Sequence, residues 1–115
     1  MGQSNPSFMN GVPELLILSL LRRREMYGYE LVQQIRAATG SVVVLGEGVV
    51  YPALHGLEKD GALKSHRKTV EGRGRVYYAL TPVGEARLTE LSGVWSKLTQ
   101  AIKDALGGVT HVPAL

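Results

Sequence analysis

The chain has 115 residues, with 13 Lys and Arg against 10 Asp and Glu, and no cysteine. That length is one domain with at most an appended helix, and without thiols there is no disulfide framework, redox centre or thiolate metal site. A net charge of +3 is too small to identify a polyanionic partner, so the placement of charge matters more than its sum. A core of this size stands alone only marginally, which leaves room for help from a second subunit. The start of the chain lacks the charged head and apolar stretch of a signal peptide. The apolar run Leu15–Leu21 falls far short of the roughly 20 residues that span a bilayer. The expectation is a soluble, cytoplasmic protein without a membrane partner.

Residues 1–10 are polar, with Phe8 and Met9 as anchors. Pro13 suits the first position of a helix, where its missing N–H costs nothing. Leu15, Leu16, Ile17, Leu18, Leu20 and Leu21 leave that helix almost no polar face, so it should be buried nearly all round. Arg22, Arg23 and Arg24 end it, either as a solvated terminus that complements the helix dipole or as a phosphate contact. A second helix is predicted from Gly28 to Thr39, with Leu31, Val32, Ile35 and Ala38 inward and Gly40 as its stop. Ser41–Leu45 is short and β-branched, a small strand or an extended connector.

A third helix follows, ended by Gly61. Val50, Ala53, Leu54 and Leu57 recur at helical spacing and face inward, while Tyr51, His55 and Lys59 fall four apart on another face. Pro52 biases Tyr51 away from helical geometry, so the first turn should be irregular or start late. Leu63–Val70 and Arg75–Leu80 form a hairpin with Glu71-Gly72-Arg73-Gly74 as its tip. In the second strand Val76, Tyr78 and Leu80 alternate with Arg75, Tyr77 and Ala79, placing one of the two tyrosines in the core and the other outside. The hairpin gathers Lys64, Arg67, Lys68, Arg73 and Arg75, with Glu71 the sole acid between residues 64 and 75. Thr81-Pro82 is an N-cap followed by proline, opening a helix of about 25 residues and about 37 Å that Gly107-Gly108 closes. Along it Leu88, Leu91, Trp95, Leu98, Ile102 and Ala105 form a heptad seam, which calls for a partner helix, most simply that of a second copy. Val109–Leu115 reads as a frayed, flexible tail.

Four stretches carry a family likeness. Met26-Tyr27-Gly28-Tyr29-Glu30, Val49-Val50-Tyr51-Pro52-Ala53-Leu54-His55-Gly56-Leu57-Glu58, Gly61-Ala62-Leu63 and Arg73-Gly74-Arg75-Val76-Tyr77-Tyr78-Ala79-Leu80-Thr81 resemble, in order and spacing, the PadR family of bacterial transcription repressors. The resemblance runs from about Gly11 to about Leu106. It implies a mostly α fold with a small β hairpin: a winged helix-turn-helix over residues 1–81, a C-terminal dimerisation helix over 82–108, and the tail 109–115. It also implies double-stranded DNA as partner, with Tyr29, Val49, Tyr51, His55, Lys59, Lys64, Lys68, Arg73 and Arg75 as contacts. Leu88, Leu91, Trp95, Leu98 and Ile102 are the implied homodimer surface. Compact members of the family bind flat apolar or cationic compounds between paired tryptophans, which makes Trp95, with Phe8, Leu15 and Leu18, the candidate effector cavity. The sequence departs from the family where Val49-Val50 replaces a hydroxyl residue and Leu, Gly56 replaces Arg, and Val76 replaces a basic residue. With fewer side chains able to read bases, binding should lean on phosphates and DNA shape.

No cofactor or metal is expected: His55, His66 and His111 are scattered and no Cys joins them. No catalytic constellation stands out, and Gly72-Arg73-Gly74-Arg75 is no phosphate loop because no helix follows it. The expected function is a homodimeric, sequence-specific DNA-binding regulator, a repressor released by a planar aromatic or cationic small molecule. The alternative is a winged-helix protein-interaction module that binds no DNA, a role for which the basic hairpin has no use.

Overall fold

Three short helices, a small sheet and one long helix are built from these residues; the structure, a computed structural model, describes residues 11–107. Helix α1 spans Val12–Arg23, strand β1 Met26–Tyr27, α2 Gly28–Ala38, α3 Glu47–Lys59, β2 Leu63–Val70, β3 Arg73–Leu80 and α4 Pro82–Leu106. The strands form one antiparallel sheet in the order β1-β3-β2. Among the described residues no helix is long and apolar enough to cross a membrane.

The core gathers Ile17, Leu18, Leu20 and Leu21 of α1, Leu31 and Ile35 of α2, and Val50, Leu54 and Leu57 of α3 under Met26, Leu63 and Tyr78 of the sheet. Helical spacing selected most of them correctly. Ala38 is an exception, lying exposed at the C-terminus of α2. Ser41–Leu45 forms no strand but a loop. The Thr39 hydroxyl pins it, donating to Ile35 O at 2.9 Å and accepting from Val43 N at 3.0 Å, which competes with an extended course.

Helix α3 is regular through Pro52 and begins earlier than expected, with Gly46 as its N-cap. Proline in the interior of a helix costs roughly 3 kcal/mol. Full burial of Val50, Leu54 and Leu57, at about 1.5–3 kcal/mol each, outweighs that penalty. The hairpin turn is tighter than expected: Val70 pairs with Arg73, and Glu71 and Gly72 take φ of 52° and 77°. Positive φ at both central residues is the two-residue turn that matches the twist of paired strands. Tyr77 and Tyr78 point to opposite faces, yet both are buried. The sequence places one of them outside, but Tyr27 of β1 meets Tyr77 edge-on at 5.4 Å and closes a second small layer on the outer face.

The root of α4 belongs to this same core. The Thr81 hydroxyl accepts from Gly84 N at 3.1 Å and donates to Gly61 O at 2.6 Å. Leu88 is 6 % exposed within the chain's own core, so it is not free for a partner helix, contrary to its place in the heptad seam. Arg87 pairs with Glu14 of α1 and, at 3.2 Å, with Asp60 at the end of α3. Beyond Leu91 the helix leaves the body. Val94, Leu98, Ile102 and Leu106 are 44–57 % exposed, and the molecule measures 54 × 32 × 26 Å.

Candidate nucleic-acid interface

Exposed positions on α3 are Glu47 in its first turn and Gly48, Pro52, His55, Gly56 and Lys59, the last five forming a single face at helical spacing. It is nearly bare, so the helix backbone can lie close to whatever it meets. Tyr51 is half-buried beside this face, its ring lying over the start of α2. A Cβ on Gly28 would sit 2.4–2.6 Å from the ring's outer atoms, so only glycine admits Tyr51 there. The His55 ring stands 6.4 Å from that of Tyr51, and Tyr29 projects from the first turn of α2, half exposed.

The register sorts the wing into two faces, because successive strand residues point opposite ways. Leu63, Ser65, Arg67 and Thr69 share a face with Tyr78 and Val76; Lys64, His66, Lys68 and Val70 share the other with Tyr77, Arg75 and Arg73. Helix α3 lies on the first face, where the Ser65 hydroxyl donates to Glu58 at 2.6 Å. Lys64 and Lys68 therefore turn away from α3, and the basic hairpin is not one surface continuous with it. The cation on α3's side is Arg67, which the resemblance did not select; its parity with Leu63 is the signal that finds it.

Lys68 is engaged within the chain. Its Nζ pairs with Glu25, on the link from α1 to β1, and stands 4.3 Å from the centre of the Tyr77 ring. Glu25 also meets His66 Nε2 at 2.6 Å. The Lys68 ammonium, then His66, hold the Glu25 carboxyl below the usual carboxylate range, and Glu25 in turn raises Lys68. Lys59, Lys64, Arg67, Arg73 and Arg75 have no carboxylate partner among the described residues.

Arg75 reaches round the sheet edge. Strand β1 stops at the Tyr27–Tyr77 pair, leaving Arg73–Val76 with a neighbour on one side only, and the Arg75 guanidinium stacks 4.2 Å from the centre of the Tyr27 ring. There a cleft of about 350 Å³ opens between the wing and α3, lined by Tyr27, Gly28, Tyr51, His55, Arg75, Val76 and Tyr78. Of the expected DNA contacts the structure thus brings Tyr51, His55 and Arg75 together. Lys59 and Tyr29 are exposed on neighbouring elements and Arg73 is at the wing tip. Val49 is half-buried against the core. Among the described residues no cluster of His, Asp or Glu could hold a metal ion.

The expected effector cavity is only partly assembled. Trp95 and Leu15 are half-buried. Leu18 is wholly enclosed in the core, where α1 is packed by the surrounding helices and β3, and so lines no cavity. Phe8 lies outside the described residues.

Helix α2, a tight loop, an outward-facing α3 and a β hairpin define a winged helix-turn-helix. The chain belongs to the PadR-like family of transcriptional regulators, whose sequence model matches residues 17–90; its function class is regulation, not enzymatic catalysis. A transcriptional regulator of Mycobacterium tuberculosis is 36 % identical over 104 residues, covering 90 % of this chain and 92 % of that one. A transcriptional regulator from Clostridium thermocellum superposes with a TM-score of 0.78 at 32 % identity, over 86 % of this chain and 97 % of the other. A PadR family transcription regulator from Clostridium difficile gives 0.75 at 32 % identity, over 84 % and 100 %.

Proposed function

We propose that the chain is a homodimeric, sequence-specific DNA-binding repressor. Two copies join through α4 and set two α3 helices in successive major grooves, roughly 34 Å apart. The observation that carries this reading is the set of cations without carboxylate partners: Lys59 on the bare outer face of α3, and Arg67, Arg73 and Arg75 along the wing. Isolated cations of this kind suit phosphates, whereas Lys68, already paired with Glu25, adds less. The projecting half of α4, with Val94, Leu98 and Ile102 exposed, is the surface a second copy would cover. Trp95 at its base would bind a planar aromatic or cationic effector between the two copies. Such an effector acts only by preferring one separation of the heads, and about 1.4 kcal/mol of preference changes affinity tenfold.

The test is a mobility-shift titration with random-sequence duplex at several salt concentrations. Arg73→Gln removes one cation from each copy of the dimer and should lower the slope of log affinity against log salt by about 1.8, about 0.9 per copy. Wild-type protein that never binds duplex at low salt overturns the reading. Quenching of Trp95 fluorescence by a planar cationic dye checks the effector site.

A further inference from the structure

We propose that the cleft between the start of α2, helix α3 and the open edge of β3 is a socket for one phosphodiester of the DNA backbone, gripped by Arg75 and Tyr78. The inference rests on the DNA-binding reading and assigns it a specific grip. Arg75 is the first element: its guanidinium is oriented by the Tyr27 face at 4.2 Å and has no carboxylate partner among the described residues. Arg24 and Arg87, by contrast, are both paired. A planar fork held on an aromatic ring keeps its donors for an oxyanion.

Tyr78 is the second. It is 5 % exposed and lines the cleft, yet no hydrogen bond engages its hydroxyl among the described residues. Burial, then the fields of Glu58 and Tyr51, pushes that phenol up, so it remains a neutral donor. A phenol donor without an acceptor inside the chain is available to a ligand oxygen. Glu58 is the nearby opposing charge, but it accepts from Ser65 and does not line the cleft.

Two further features favour the same anion. Helix α2 begins at Gly28 with no side-chain cap, turning the positive end of its dipole toward the cleft wall. The other walls are the rings of Tyr27 and Tyr51 and the side chain of Val76. A free phosphate would leave those apolar walls uncovered. A phosphodiester presents an anion flanked by deoxyribose C–H groups, and the cleft lies open along the strand edge, so a continuous backbone can pass through it.

The experiment measures full-chain binding to a random-sequence duplex by fluorescence anisotropy across a salt series, with thermal melts confirming that each variant folds. Arg75→Gln should lower the salt slope by about 1.8 for the dimer, about 0.9 per copy. Tyr78→Phe should weaken binding about fivefold at unchanged slope, because a neutral donor displaces no counterion. If Arg73→Gln weakens binding while Arg75→Gln and Tyr78→Phe behave as wild type, the socket is wrong and the DNA-binding reading stands. Wild-type protein that binds no duplex refutes both. Inorganic phosphate titrated without DNA, followed by the Arg75 Nε–H resonance, separates the sources. Saturation below 1 mM (about −4.1 kcal/mol), with duplex affinity indifferent to both variants, would make this a free-phosphate site and overturn the backbone assignment.

Discussion

Replacing Gly84 by alanine tests whether α4 is rooted as described. An added Cβ would stand 2.2 Å from the carbonyl oxygen of Ala62, 2.8 Å from Leu80 Cδ1 and 3.1 Å from the Ala62 carbonyl carbon. The leucine tip can rotate away, but the carbonyl is fixed because it accepts from Thr81 N at 3.1 Å. Helix α4 must therefore back off by about 1 Å, with overpacking worth about 1–3 kcal/mol and one or two weakened hydrogen bonds at about 1 kcal/mol each. Alanine's better helix propensity returns at most about 1 kcal/mol. The net loss is about 1–5 kcal/mol, and for a chain of this size about 4 °C of Tm accompanies each kcal/mol, giving a fall of about 4–20 °C. Gly93→Ala on the same helix is the control: nothing lies within 4 Å of its Cβ, so it should gain about 0.5–1 kcal/mol and melt about 2–4 °C higher. Circular dichroism melts at one fixed protein concentration, needed because self-association shifts Tm, read both. A Gly84→Ala protein melting within 2 °C of wild type would refute the close approach of α4 to Ala62.

Other consequences are equally direct. Leu98→Asp with Ile102→Asp, both exposed on the projecting half of α4, should yield a monomeric mass by light scattering, with the helical signal of the body retained and Tm no longer dependent on protein concentration. Glu25 has a folded pKa below its unfolded value of 4.5, so its contribution is present above that pH and fades as pH falls through the folded pKa. Lys68 has the opposite sign: its contribution is full below 10.5 and fades only as pH rises beyond the folded pKa. Glu25→Gln should therefore lower Tm between about pH 5 and 9, and the gap from wild type should close on acidification; a pH-independent gap would show that the ion pair contributes nothing. Thr39→Val removes the hydroxyl that donates to Ile35 O and accepts from Val43 N. It should cost about 1–2 kcal/mol in urea unfolding while leaving the helical signal intact.

Much of this architecture is written in short-range pattern. Apolar spacing alone placed Val50, Leu54 and Leu57 on the inner side of α3, strand alternation put Tyr77 and Tyr78 on opposite faces, and Thr81-Pro82 announced the start of α4. What pattern does not carry is pairing between distant stretches. Met26–Tyr27 is too short to show a period, so the third strand, and with it the burial of Tyr77, was invisible. Glu25 meets His66 and Lys68 from 41 and 43 residues away, and no local rule foretells which wing cation is thereby neutralised. Residue type marked Tyr51 and His55 as outward, but only the fold shows the Tyr51 ring seated on Gly28. The heptad spacing was real yet overextended: Leu88 obeys it and is nevertheless enclosed, because the first two turns of α4 lie against α1.

Arg87 gives that arrangement a mechanical consequence. One guanidinium ties α4 to Glu14 of α1 and to Asp60 at the C-cap of α3, making it a fulcrum rather than a decoration. From Arg87 to Leu106 the helix runs on for about 28 Å at 1.5 Å per residue, so a 5 Å sideways push at the tip is a tilt of only about 10° at the hinge. A displacement at the tip of the arm would thus reach the last turn of α3 only as a fine rotation. Cutting that tie with Arg87→Met would leave the arm in place and take away its leverage.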